Sequence, residues 1–395
     1  MRPMQKIILF LYWFGSGVVQ PVLSLAFLAK GCDLRTLPLA MGIYSATVIV
    51  CEVPTGVFAD LFGRKRTFLT ACALYVADMA LLILADSFLL VVPAAILMGL
   101  ARAFSSGSLD AFFVEDAVAR RGPEILPTVT GQISLCQSVG MTLGALLGGV
   151  LPMWGAYDLH LGLRGLFIAI PGVVCAVTVK ERRDAGEREE RVRLSTHLRD
   201  CGGLLRLRPM LWGILACFLS AGVLVALVET YWQPAFLRVA GEELRPMLGV
   251  VSALSFGAVS AGNLLTRRLR LAPGRGEWKG YFALRGLMVL AVLLFAAQLG
   301  VPGFVLGYGL IYLVMGGTDV LEMTLLNRMV PDRQRASFLS VGSLSAQMGG
   351  LLSSLMSAAA VGALGFGGLF FAGGVIVALG TLVPIVLMVR QKETV

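Results

Sequence analysis

Uninterrupted apolar runs constrain this chain more than any other feature. A helix needs roughly 20 apolar residues to cross about 30 Å of hydrocarbon, and such runs occupy 7–29, 37–59, 67–85, 88–113, 127–152, 160–179, 209–232, 246–266, 280–299, 303–327, 336–361 and 366–389. No soluble globular class fits, so the expected fold is an all-α membrane protein with twelve transmembrane helices. With 57% apolar and 14% charged residues and 47 glycines among 395, the composition is that of helices packing closely in lipid.

Lys and Arg set the orientation. With the amino terminus inside, 26 of the 33 fall in cytoplasmic segments and five in outer loops. The positive-inside rule then places both termini in the cytoplasm of a multi-pass protein of the cell's inner (plasma) membrane. The net charge of +9 is spread as orientation signals, so no nucleic-acid partner is expected. The first run lacks a small-residue cleavage site and reads as a retained helix. Residues 180–208 break the apolar pattern with Lys180-Glu181-Arg182-Arg183 and Glu187-Arg188-Glu189-Glu190-Arg191. They divide the chain into an amino-terminal six-helix bundle (1–179), a cytoplasmic linker (180–208) and a carboxy-terminal six-helix bundle (209–395). Leu194, Leu198, Leu204 and Leu205 predict a surface helix in the linker.

Between the second and third runs stands Gly56-Val57-Phe58-Ala59-Asp60-Leu61-Phe62-Gly63-Arg64-Lys65-Arg66. An acid, a glycine turn and three cations between two spans make a tight cytoplasmic hairpin. It resembles the signature loop of the major facilitator superfamily, G-x-x-x-D-x-x-G-R-K-R. The resemblance implies two pseudo-symmetric six-helix bundles and a substrate site at mid-membrane. It also implies a conformational gate formed by Gly56, Asp60, Gly63, Arg64, Lys65 and Arg66, whose bases pair with Asp60, Glu115 and Asp116. The halves echo each other: Gly107-Ser108-Leu109-Asp110 in helix 4 matches Gly316-Gly317-Thr318-Asp319 in helix 10, and Gly262 to Arg268 is a degenerate copy of the hairpin with Thr266 in place of the acid.

Helix 5 carries Gly140-Met141-Thr142-Leu143-Gly144-Ala145-Leu146-Leu147-Gly148-Gly149. This is similar to the antiporter motif of drug-proton exporters, with Ala145 where the motif has proline. The spacing of Gly140, Gly144, Gly148 and Gly149 is equally the general close-packing motif of membrane helices. Glu52-Val53-Pro54-Thr55-Gly56, Ser105-Ser106-Gly107-Ser108-Leu109-Asp110-Ala111 and Glu229-Thr230-Tyr231-Trp232-Gln233-Pro234 also resemble bacterial drug-export members. Those proteins usually carry an arginine early in helix 4; here Ala95 stands in its place and Arg102 lies about two turns further on.

Ionisable groups inside hydrocarbon are costly and therefore functional candidates. Glu52, Asp78, Asp110, Glu229, Asp319 and Glu322 lie within spans, against Arg102 and an Arg285 near enough to the end of helix 9 to snorkel. Counted from the cytoplasmic ends, Glu52 and Arg102 lie level; they form either a buried ion pair or a titrating site whose proton affinity Arg102 controls. Asp319 and Glu322 share a helix face. They either share a proton that an arriving cation displaces, or bond to Ser, Thr or Arg side chains of helix 11. Glu229 is placed near the outer surface, with Tyr231 and Trp232 in the interfacial belt or forming an aromatic wall for an organic cation. Asp78 receives no role.

The seven cysteines show no C-x-x-C spacing, so neither a disulfide framework nor a metal site is expected. His160 and His197 read as solvated loop histidines. No H-E-x-x-H or G-x-S-x-G pattern is present, and no enzymatic activity or cofactor is expected. The resemblance implies a monomeric, proton-coupled exporter of cationic or amphipathic small molecules working by alternating access. An uptake symporter, a lipid or metabolite transporter and a non-transporting sensor stand as alternatives.

Overall fold

The computed structural model describes residues 1–106, 108–153, 157–179, 203–205, 208–269 and 271–393. His197 and the helix expected at Leu194 and Leu198 lie outside them. Among the described residues every regular element is helical. The helices are α1 (Pro3–Val19), α2 (Leu23–Ala29), α3 (Thr36–Phe62), α4 (Arg64–Leu84), α5 (Phe88–Ser105), α6 (Leu109–Arg121), α7 (Leu126–Val150), α8 (Asp158–Thr178), α9 (Met210–Ala240), α10 (Met247–Arg268), α11 (Arg275–Ala296), α12 (Gly300–Met329) and α13 (Asp332–Glu393).

Among the described residues eleven segments are long and apolar enough to cross a membrane, and the last of them is Phe338–Arg390. At 1.5 Å per residue its 53 residues would extend about 80 Å, far beyond one bilayer. Gly365 breaks the helix with φ 61° and ψ −174°, a region open essentially to glycine alone. The chain reverses there. Before it, the Ser345 hydroxyl donates to the Leu215 carbonyl and Gly349 abuts Leu219, so the chain runs parallel to α9; after it, Gly373 abuts Leu227 and Pro384 abuts Gly213, so it runs antiparallel. Divided at Gly365, the last segment brings the count among the described residues to twelve.

The contacts divide the chain into two compact units, Met1–Arg182 with Thr230–Gly257, and Arg183–Glu229 with Ala258–Val395. In the first unit α1 packs on α7 and α8, α4 on α5 and α8, and α3 on α5. Its core includes Ile8, Leu9, Phe27, Phe68, Phe113 and Ile168. The glycine run of α7 meets α1 backbone to backbone: a Cβ on Gly144 would lie 2.3 Å from the Phe14 carbonyl oxygen, and one on Gly148 2.1 Å from that of Val18. Only glycine allows this approach. The first crossing is interrupted at Gln20–Val22, where Pro21 supplies no N–H. Gln233 of α9 bonds to backbone groups beside the break, its Oε1 accepting from the Ser24 N–H at 2.7 Å and its Nε2 donating to the Gln20 carbonyl at 2.8 Å. Asp33 starts α3 by accepting from the N–H and hydroxyl of Thr36 and from the N–H of Arg35, and these bonds, Thr36 foremost, hold its carboxyl below the usual range.

In the second unit α11 packs against α12 and α13. Tyr281, Arg285, Phe295, Phe304, Tyr308 and Phe338 are among its largest enclosed side chains.

The structure corrects four expectations. His160 is no loop residue: it is buried in α8, with Nε2 2.9 Å from the Gly148 carbonyl oxygen. Arg285 does not snorkel, because Ser220, Thr381 and the Val377 carbonyl accept its N–H groups within the unit. Tyr231 and Trp232 are fully buried and so form no interfacial belt. Glu229 lies deeper than expected, since α9 runs on to Ala240, about 16 Å further.

Candidate functional site

Helix 4 was expected to run unbroken from 88 to 113; it is instead split into α5 and α6, and the split builds a site. Between α5 and α6 short polar residues compete with helical hydrogen bonds: the Ser105 hydroxyl turns back to the Arg102 carbonyl at 2.9 Å, and the Ser108 hydroxyl to the Ser105 carbonyl at 3.1 Å. Arg102 stands in the last turn of α5 and Asp110 in the first turn of α6. Each charge is matched to the dipole of its own helix end.

Arg102, Ser105, Ser106, Leu109 and Asp110 line a cavity of about 240 Å³ whose other walls are Tyr12 and Trp13 of α1, Phe68 of α4 and Gln137 of α7. Non-helical backbone at membrane depth is tolerated where it lines such a space. The cavity offers one cation, one carboxylate, an amide that both donates and accepts, and three aromatic faces. Tyr44 and Tyr75 join Tyr12 and Glu52 within electrostatic reach of Arg102.

Glu52 and Arg102 do not form the ion pair weighed from the sequence; no such pair joins them among the described residues, and the buried Oε2 of Glu52 has no hydrogen-bond partner there. One turn on, the buried Thr55 hydroxyl lies 3.2 Å from the Ala103 carbonyl oxygen and ties α3 to α5. Equal depth along two helices does not make their side chains point at each other.

In the second unit Asp319 and Glu322 lie within electrostatic reach of each other. Their surroundings differ. Asp319 is exposed, whereas Glu322 is 2% exposed and accepts from the Tyr281 hydroxyl at 2.5 Å. The bond to helix 11 weighed for this pair is replaced, for Glu322, by one to helix 9. Arg285 is within electrostatic reach of Glu322 but gives its N–H groups to Ser220 and Thr381. Glu229 accepts from the Tyr312 hydroxyl, which belongs to a cluster with Tyr308, Phe295, Phe304 and Phe370.

At the hairpin, Arg64 pairs with Glu115 at 2.8 Å, and Lys65 donates to the Ala176 and Val179 carbonyls at 2.8 and 2.6 Å, capping the end of α8. Two expected pairs are absent among the described residues. Asp116 pairs with Arg120, its i+4 neighbour, and accepts from the Gln5 amide at 2.8 Å, because a partner on the same helix face is closer than one across the hairpin. Asp60 is exposed and has no ion pair among the described residues. Arg66 is exposed too. Gly63, at φ 92°, takes the conformation that lets α3 end and α4 begin at once, while a Cβ on Gly56 would meet nothing within 4 Å.

Sequence reasoning missed the side chains that give these charges their setting: Tyr12, Trp13, Tyr44, Tyr75 and Gln137 in the first unit, Tyr281 and Tyr312 in the second. The available signal was polar tips on aromatic residues within apolar runs, since a buried phenol seeks a partner.

The family model described as Major Facilitator Superfamily matches residues 7–318. The chain is 24% identical over 383 residues to an uncharacterized MFS-type transporter, YxaM, of Bacillus subtilis strain 168, covering 94% of this chain and 91% of that one. Its fold is similar to that of the nucleoside transporter NupG, with a TM-score of 0.77, 14% identity and 98% of each chain covered. It is also similar to a bacterial homologue of the human lysosomal transporter Spinster in an inward-facing and occupied conformation, with a TM-score of 0.71, 13% identity and 97% and 95% covered.

Proposed function

The chain belongs to the Major Facilitator Superfamily of membrane transporters, and from that premise we propose that it is a proton-coupled exporter of small amphipathic molecules carrying a basic group. One observation carries this reading. Glu52 and Asp110 in the first unit and Asp319 in the second remain open or half-open in the membrane-crossing helices, while Arg285 is enclosed and committed to Ser220 and Thr381. An open carboxylate inside a membrane-crossing helix attracts both an organic cation and a proton, so one displaces the other. The aromatic walls at Tyr12, Trp13 and Phe68 suit the apolar part of such a molecule. Both termini lie in the cytoplasm in this reading, the two six-helix bundles are 1–179 and 209–395, and the protein works as a monomer.

Cells expressing the protein are expected to accumulate less of a fluorescent organic cation than vector controls. Asp319→Asn is expected to restore accumulation to the control level while the protein still reaches the membrane. No reduction across a chemically broad panel would sink the export reading.

A second reading is transport of an uncharged polar aromatic molecule such as a nucleoside. The combination of three aromatic faces with Gln137, Asp110 and Arg102 favours it, because these can stack a base and both donate to and accept from it. Nucleosides that raise the thermal stability of the purified protein where organic cations do not would select this reading over the first.

A further inference from the structure

Asp78 sits within α4, is fully buried, and neither of its carboxylate oxygens has a hydrogen-bond partner among the described residues. A buried carboxylate without a bond is costly, and the neutral acid is the form such a place can hold. The helices packed on α4 decide what it faces. α8 brings Arg164, within electrostatic reach of Asp78 but forming no ion pair with it; the buried Nε of Arg164 also lacks a hydrogen-bond partner among the described residues. The other polar groups of α8 are engaged elsewhere: Asp158 with Lys30, His160 with the Gly148 carbonyl, and Cys175 beside Cys72. α5 has no ionisable side chain except Arg102, α3 contributes Tyr44, which Arg164 and Tyr75 reach electrostatically, and Glu115 of α6 is held by Arg64.

These groups connect to the cavity. The Arg164 guanidinium carbon lies 5.1 Å from the centre of the Tyr75 ring, one turn before Asp78 on the same face of α4. The Tyr75 ring meets the Tyr12 ring edge-on at 6.4 Å, and Tyr12 lines the Arg102–Asp110 cavity. We propose that Asp78 is a proton-binding site of the first unit, reached from that cavity past the phenols of Tyr12 and Tyr75, with Arg164 as the partner of its charged form. One proton adds to the carboxylate to give the neutral acid, and the Asp78–Arg164 pair goes from no net charge to a single positive charge. The inference rests on the proton-coupling reading above and adds a site in the other half of the chain from Asp319 and Glu322.

The test is infrared difference spectroscopy of the full-length purified protein in lipid across a pH titration. The wild type is expected to show the carbonyl band of a protonated carboxylic acid that fades as pH rises. Asp78→Asn is expected to remove one component of that band, and Asp319→Asn to leave that component in place. Arg164→Gln removes the cation that favours the charged form, so the midpoint of the Asp78 component is expected to move up, with proton binding roughly tenfold tighter or more. Tyr75→Phe is expected to leave the midpoint unchanged and slow hydrogen–deuterium exchange of the band. A spectrum unaltered by Asp78→Asn overturns the proposal. If that variant does not fold, a midpoint unmoved by Arg164→Gln overturns it instead. Titration at Asp78 without pH-driven flux would sink the coupling reading and leave this site standing; flux without titration would do the reverse.

Discussion

Arg64 and Glu115 form an ion pair at 2.8 Å that joins the first residue of α4 to the middle of α6, in place of the acid of the hairpin motif itself. Asp60, three residues before Gly63, stays open to solvent. Arg64 is paired with Glu115, Lys65 donates to carbonyls at the end of α8, and Asp60 has no ion pair among the described residues. We infer that the hairpin acts as a conformational gate whose contacts are exchanged between states.

Glu115→Gln is therefore expected to change turnover more than stability. Both side chains are partly exposed, and pairs of that kind contribute about 0–1 kcal/mol. Thermal unfolding of the variant is expected to stay close to wild type while transport slows several-fold. A large loss of stability with transport unchanged would assign the pair to packing alone.

Gly144→Ala is expected to lower folding yield sharply and Gly56→Ala to leave it unchanged. At Gly144 the added methyl meets a carbonyl oxygen of α1 at 2.3 Å, which backbone cannot yield cheaply, and the helix pair must separate at a cost of about 1–3 kcal/mol. At Gly56 the methyl enters open space. Size-exclusion profiles and unfolding temperatures of the two variants, measured side by side, check the contrast; equal behaviour would contradict the packing.

Tyr281→Phe is expected to destabilise the second unit by about 1–3 kcal/mol, since it takes the donor from a buried carboxyl and leaves Glu322 without that bond. Glu322→Gln keeps an acceptor for Tyr281 and is expected to be milder in unfolding assays while still impairing pH-driven flux. A more severe loss of stability from the amide than from the phenylalanine would reverse this assignment.

The topology carries its own check. Single cysteines at Glu124 and Glu243, in a background with the native cysteines replaced, are expected to react with an impermeant thiol reagent from the cytoplasmic and the external side respectively. Labelling of both from one side breaks the twelve-crossing arrangement.

The number of the crossings was legible because a bilayer demands long apolar runs, and the break at Gly365 falls in the gap between the runs expected at 336–361 and 366–389. Which way each side chain faces was not. Glu52 and Arg102 are level yet unpaired, because rotation about each helix axis is set by packing with neighbours, and Arg285, expected near a helix end, stands midway along α11 and is enclosed. The placement of Glu229 failed for another reason: the seventh apolar run was expected to end at 232, whereas the helix continues through Pro234 to Ala240. The split of helix 4 was visible only as a serine–glycine cluster inside an apolar run.

The reversal at Gly365 spends a single residue on joining two crossings, and a joint without slack transmits motion. If one of these helices tilts, its neighbour is expected to be dragged at the same end. Lengthening that joint with a few flexible residues is a way to uncouple them without touching any charge in the protein.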